Sequence, residues 1–472
     1  MPFASIHFLF LFLPVVFVIF YLVPNKWYRN SILLIASLIF YGWADPTHLP
    51  LLFGSVIFNY WFAILCENSK KRERPSLARV FIFSAVTVNL AFLFFYKYLS
   101  AILLRLQLES VLSPSLIDIV LPLGISYLTL TGISYVVDVY RGVEKAERNF
   151  LHIGSYLIMF PKVLQGPITR FGSVKNDFDG SGFPTSEIST GIRRFIVGLV
   201  KKVLIADKLA IVAAASFGAD PASIGMDVSW FGLIAFTLQI YFDFSGYTDM
   251  AIGLGMIFGF HLPENFNYPY ISRSITDFWR RWHMSLIAWL RVYVFLPLES
   301  KRRREKYLRL QTNILIVFAL SGLWHGASWN FILWGIYFGL LLAIEASGFE
   351  KLLKKTPPFI QHAYTLVLIM AGWVFFGQTK VMEWGPFFNS LLGGNGLNSL
   401  ETLRTLNVLM YLPIMLVAMV LSTPIIKIAE QKFLAFGFKA RIVLDVVYFA
   451  FFLLVVMEIL SNGYQSFLYM KF

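Results

Sequence analysis

Mostly apolar runs recur along this chain from Phe3 to Tyr464, broken by short polar connectors. A helix needs about 20 such residues to cross the ~30 Å hydrocarbon layer of a bilayer. Read with the punctuation of Pro, Gly and charge, the pattern predicts helical segments near residues 4–23, 31–43, 48–66, 78–104, 117–137, 151–165, 192–216, 229–259, 310–324, 327–346, 360–377, 407–427 and 440–461. Apolar pieces of about 10–15 residues are too short to cross alone and read as re-entrant or buried, the pair flanking His325 being the clearest case. The expected fold class is therefore all-α, a polytopic transmembrane bundle of about eleven spans plus re-entrant or interfacial helices. No internal repeat, low-complexity tract or soluble segment interrupts it, so residues 1–472 read as a single membrane-embedded domain.

Composition agrees with the pattern. At 57% hydrophobic residues and a mean hydropathy of +0.67, the chain has more apolar surface than a soluble core of its size buries, which makes lipid its solvent. The net charge of +13 does not point to nucleic acid, because the basic residues sit in connectors between apolar runs. The positive-inside rule places Lys26/Arg29, Lys70–Arg74 and Lys301–Arg304 in the cytoplasm, with the chain start and the Asp45–His48 turn outside. The expected location is a membrane crossed many times, with these basic connectors on its cytoplasmic side. The first apolar run has no basic flank and no small-residue cleavage site before Pro24, so it reads as a retained helix. Cys66 is the sole cysteine, which excludes an intrachain disulfide and a cysteine metal cluster, and no metal is expected.

Two polar segments are unlike ordinary loops. Asn265 to His283 mixes aromatic and charged residues, and from Thr276 or Asp277 the spacing predicts a capped helix running through Trp289 to Val294. That helix would carry Trp279, Trp282, His283 and Leu286 on one side and Arg280, Arg281 and Ser285 on the other, a pattern suited to an interface or a water-filled funnel. The other segment, Ser321 to Asn330, sets His325 between Trp324 and Gly326 amid apolar residues. An imidazole there reads as a general base for a hydroxyl, its pKa lying near working pH, or as a histidine hydrogen-bonded between helices. His283 is the second candidate base, with a plain water-facing histidine as the alternative. The remaining histidines, at 7, 48, 152, 261 and 362, carry no expected role.

Asp243 and Asp249 lie inside an apolar run, where each carboxylate costs roughly 2.5–3.5 kcal/mol on insertion scales. Arg280 or Arg281 are the expected partners. Ser245, Asp249 and Gly253 recur every four residues and could line a tunnel, or the stretch could serve an ion pair and close packing through Gly246 and Gly253. Asp138–Arg141 and Gln165–Arg170 read as salt-bridge and turn elements. Phosphate-loop, GxSxG, HExxH and dinucleotide signatures do not occur, which removes support from hydrolase and nucleotide-driven classes.

The strings LIFYGWADP, PLGIS, SYVVDVYRG, FPKVLQGPITRF, DFSGYTDMAIGLGMIFGFHLPENFNYPY, DFWRRWHMSLIAWLR and LWHGASWNFILWG, in this order over most of the chain, resemble bacterial membrane-bound O-acyltransferases. The branch is that of the alginate O-acetylase membrane subunit and the peptidoglycan O-acetyltransferase. The resemblance implies a helical bundle around a tunnel, with the family's catalytic histidine at His325 and its second motif histidine at His283. Trp324 and Asn330, with the residues named above, are expected to contact substrate or line the tunnel. The implied acyl donor is a cytoplasmic thioester, acetyl-CoA or an acyl carrier, and the implied acceptor is an extracytoplasmic polysaccharide or a partner acyltransferase. The chain departs from the branch at Arg291-Val-Tyr-Val-Phe-Leu-Pro-Leu-Glu-Ser300, where RDYVYIPLGG is usual, and at Tyr127-Leu-Thr-Leu-Thr131 after PLGIS. Rival readings are D-alanyl transfer to teichoic acid from a carrier protein and a polytopic transporter or flippase, for which internal repeats would be expected.

Overall fold

In the computed structural model, residues 1–106, 119–180, 185–301, 308–398, 408–463 and 465–467 are described, and they form helices and connectors with no strand among them. Of the basic clusters used to orient the chain, Arg302–Arg304 lie outside these residues. Six described helices are long and apolar enough to cross a membrane: Leu49–Lys71, Pro75–Arg105, Met226–Ile257, Trp329–Leu353, Pro358–Gly377 and Phe438–Asn462. Leu412–Leu421 and Ile425–Leu434, bent by 64°, make a seventh if they act as one span. The runs expected over 31–43 and 117–137 appear as the helices Lys26–Ala44 and Ile125–Arg141, which fall short in length or apolar content, so the expectation of about eleven exceeds this number. Of the pair flanking His325, Arg309–His325 is short as expected, whereas Trp329–Leu353 is long enough to cross, contrary to expectation. Large apolar side chains stand exposed on the crossing helices, among them Phe83, Val446, Met457 and Leu460, as lipid solvation requires.

Contacts within the chain divide into two compact units. The first comprises Met1–Phe195 and Thr248–Pro263. Here Asn25 caps Lys26–Ala44 by accepting the Tyr28 N–H at 3.1 Å, and the Asp45 carboxylate pins the following turn by accepting from His48 Nδ1, Thr47 Oγ1 and the Leu123 N–H. Gly124, at φ +70°, opens Ile125–Arg141, and a side chain there would meet the Val163 carbonyl. The Asp138 carboxylate accepts from Arg170 Nε and Nη2 at 3.1 and 2.9 Å, so the two weaker motifs of the sequence are joined to each other. The segment expected over 151–165 is helical only to Ile158 and continues as a buried turn through Gln165.

The second unit comprises Ile196–Tyr247 and Glu264–Phe472. Its core is aromatic: Phe278, Trp282, Trp334, Phe338, Trp373 and Phe376 are all nearly inaccessible. Lys202 is buried in the π-helical turn Val200–Ala206, with Nζ 2.7 Å from both Asp207 and Asp243, 3.2 Å from the Ser466 carbonyl and over the Phe467 ring. Removing this ammonium would leave two carboxylates facing each other in a low-dielectric interior. Lys202→Met is therefore expected to cost about 3–5 kcal/mol, read as a lowered unfolding midpoint of the detergent-solubilised protein, and adding Asp243→Asn should recover part of the loss.

Candidate active site

The helix expected to run to Val294 is broken. Ser274, rather than Thr276 or Asp277, is its cap, accepting the Asp277 N–H at 2.9 Å, and the first helix ends at Trp279. A second begins at Met284, with His283 between them at φ 44°, ψ 50°. The cause is competition for backbone groups. Met284 N–H donates to the Asn265 carbonyl at 2.9 Å, Ser285 N–H donates to Asn265 Oδ1 at 3.2 Å, and the Arg281 carbonyl accepts from Asn267 N–H at 3.0 Å. These groups would otherwise close helical turns, so the 265–267 segment replaces the helix ladder over one turn. The Glu345 carboxylate, 2% exposed, anchors the start of the first helix by accepting from the Ile275 and Thr276 N–H groups and the Thr276 hydroxyl at 2.7–2.8 Å.

The break changes which side chains point inward. Trp279 and Trp282 are buried in the aromatic core instead of anchoring at an interface, and Ser285 is buried rather than sharing an outer face with the arginines. Arg280 is exposed, and Arg281 pairs with Asp277 at 3.0 Å. Neither reaches the intramembrane carboxylates as expected: Asp243 is held by Lys202, and Asp249 by Arg194 through bonds of 3.1 and 2.9 Å. The partner cations lie upstream, on the segment 194–202, whose register brings them alongside. Gly253 sits against the Gly191 carbonyl, where an added Cβ would come within 2.6 Å, so Gly253 serves helix contact. Ser245 is buried next to them in sequence.

His283 is 1% exposed and stands edge-on to Phe244, 4.7 Å between centroids. It lies outside the crossing helices, and burial pushes its imidazole far down, to about 3, so the ring is neutral with one proton. That proton can be placed. Asn265 Oδ1 accepts the Ser285 N–H and hydroxyl, and since a backbone N–H only donates, this atom is the oxygen. The His283 Nδ1 that faces it at 3.1 Å is therefore the donor, which leaves Nε2 with its lone pair free.

His325 ends the helix Arg309–His325, and Trp329–Ile344 returns beside it. The two helices touch through glycine: a Cβ at Gly322 or Gly335 would fall 2.3 Å from a backbone oxygen of the opposite helix. The His325 ring, 5% exposed, is bordered by Trp324, Trp334 and Phe376 at 5.0, 5.1 and 5.6 Å. Trp324 also lies 6.4 Å from His283, so one indole neighbours both imidazoles. Asn330 donates to the Phe376 carbonyl at 3.3 Å.

This neighbourhood holds buried polar atoms without a hydrogen-bond partner among the described residues. They are His283 Nε2, Asn265 Nδ2, Asn330 Oδ1, Gln378 Nε2 and the indole nitrogens of Trp279, Trp334 and Trp373. A dry interior would charge a heavy desolvation penalty for each, so such a concentration marks a place where water or substrate completes the bonding. A cavity of about 250 Å³ in the first unit, lined by residues such as Arg29, Asp177 and Glu187, includes neither histidine. Sequence reasoning missed Asn265, Glu345, Lys202, Trp334 and Trp373. Only Asn265 carried a signal, as the start of the aromatic and charged string.

The sequence profile described as the membrane-bound O-acyltransferase family matches residues 145–382. The chain is 41% identical over 384 residues to a probable alginate O-acetylase, AlgI, of Pseudomonas putida, which covers 80% of this chain and 77% of that one. It is 32% identical over 426 residues to a peptidoglycan O-acetyltransferase of Helicobacter pylori, covering 83% and 80% respectively. A teichoic acid D-alanyltransferase of Bacillus subtilis is 31% identical over 257 residues, 52% of this chain and 64% of its own length. With an all-helical membrane fold and two motif histidines gathered about one tryptophan, the chain belongs to the membrane-bound O-acyltransferase family and is an O-acyltransferase.

Proposed function

We propose that the protein moves an acetyl group from acetyl-CoA, reached from the cytoplasm, to a hydroxyl on the far side of the bacterial cytoplasmic membrane. The acceptor is an exported cell-surface polysaccharide or a partner acyltransferase that passes the group on to one. The reading is supported most by the buried, unpartnered polar atoms around His283 and His325, which suit a polar reactant entering an aromatic enclosure. Acetyl as the cargo is favoured by the greater identity and coverage of the two O-acetyl-transferring relatives over the D-alanyltransferase.

In the proposed reaction His325 is the general base. The acceptor oxygen attacks the thioester carbonyl carbon as its proton passes to the imidazole, a C–O bond forms, the C–S bond breaks, and the departing thiolate takes the proton back. A thioester has a good leaving group, so positioning, proton removal and exclusion of water suffice without an acyl-enzyme. His283 orients the hydroxyl or relays its proton through the free Nε2.

His325→Ala is expected to lower acetyl transfer by about two to four orders of magnitude, the usual worth of a general base, with folded protein undiminished. Ester-linked acetate on the cell surface is the readout, and undiminished acetylation by that variant would refute the assignment. Purified wild-type protein should also transfer label from radioactive acetyl-CoA without a phosphopantetheinylated carrier; strict dependence on such a carrier would shift the donor to the D-alanyl type.

A further inference from the structure

Asn265 is saturated on one side of its amide and bare on the other. Oδ1 accepts from Ser285 N–H, Ser285 Oγ and His283 Nδ1, at 3.2, 2.9 and 3.1 Å. Nδ2 is buried in a residue 1% exposed and has no partner among the described residues. A purely structural role would be filled by the acceptor half alone, and an orphaned amide donor at this depth is costly. Next to it, on the same hydrogen-bonded pair, His283 Nε2 is an orphaned acceptor. Acyl transfer from a thioester to a hydroxyl calls for this combination: an acceptor for the hydroxyl hydrogen and a donor for the carbonyl oxygen, on which negative charge grows in the transition state.

We infer that Asn265 is a catalytic residue with two functions: Oδ1 holds His283 as the Nδ1–H tautomer, and Nδ2 donates to the carbonyl oxygen of the acyl thioester. The inference rests on the acyl-transfer reading above. As the acceptor oxygen bonds to the acyl carbon, the C=O π electrons move onto the carbonyl oxygen, and Asn265 Nδ2–H bonds to that oxyanion. Collapse restores C=O and expels the thiolate, and the hydroxyl proton ends on the thiol. Glu345 supports this arrangement from a distance, since it fixes the first turn of the helix leading to His283.

The test combines kinetics with spectroscopy on the full-length protein in lipid vesicles. Asn265→Asp keeps the acceptor side and removes the donor, whereas Asn265→Ala removes both. Each should lower kcat by about 100- to 1,000-fold, the cost of losing one oxyanion donor, with a much smaller change in KM for acetyl-CoA. A kcat within a few-fold of wild type for either would overturn the donor role. Since an Asn265 variant could fail to fold, isotope-edited infrared spectra of 13C-carbonyl acetyl-CoA bound to His325→Ala protein give an independent reading with the native asparagine present. The carbonyl band should move to lower frequency on binding; an unshifted band overturns the proposal. Nitrogen-15 spectra should show His283 protonated at Nδ1 and bare at Nε2, and the reverse tautomer would contradict the positioning function. The two readings fail separately. If His325→Ala still transfers acetyl, the functional reading fails. If it is inactive, binds acetyl-CoA and leaves the carbonyl band in place, only the role of Asn265 falls. An absence of saturable acetyl-CoA binding would overturn both.

Discussion

A polar or charged group taken out of water into a helical membrane interior must find a partner or carry a large free-energy cost, and this constraint organises the protein. It accounts for Lys202 between Asp207 and Asp243, for Arg194 on Asp249, for Arg170 on Asp138, and for the Glu345 carboxylate capping a helix start. Each arrangement joins segments distant in sequence and fixes their register. Against this background the neighbourhood of the two motif histidines is different, because donors and acceptors there face one another's surroundings unpaired. Unpaired buried groups occur elsewhere too, at Gln165 Oε1 and Ser216 Oγ, but their concentration here separates site from scaffold.

Backbone geometry delivers both imidazoles. His325 sits where a helix stops at an extended glycine and the chain turns back, with glycines letting the two helices approach closely. His283 sits in a left-handed link that the 265–267 segment imposes by capturing the N–H groups of Met284 and Ser285. A left-handed conformation at a non-glycine residue is unfavourable and is sustained only by surrounding bonds. Here those bonds come from the same asparagine that sets the ring's tautomer, so chain path and proton placement share one origin.

Much of the helical framework was legible in the sequence because hydropathy and terminal punctuation are local properties: Leu49–Lys71, Met226–Ile257 and Pro358–Gly377 lie within a few residues of their expected bounds. His283 and His325 were legible as a pair through their motifs, and the structure places one tryptophan beside both. The break at His283 was not legible, since the three- and four-residue spacing of Trp279, Trp282 and Leu286 continues across it while the competing bonds come from Asn265 and Asn267. The carboxylate partners were missed for the same reason. Charge complementarity shows that Asp243 and Asp249 need cations, but helix register decides that these are Lys202 and Arg194 rather than Arg280 and Arg281.

Acyl transfer as proposed requires the space facing His283 Nε2 and Asn265 Nδ2 to be polar and occupied during function. A cryo-electron microscopy map of the protein in lipid nanodiscs, at a resolution that shows water, tests it most directly. Ordered non-protein density within hydrogen-bonding distance of His283 Nε2 and Asn265 Nδ2 is the expected result. A closed, dry aromatic seam at both atoms, unchanged when acetyl-CoA is added, would contradict it.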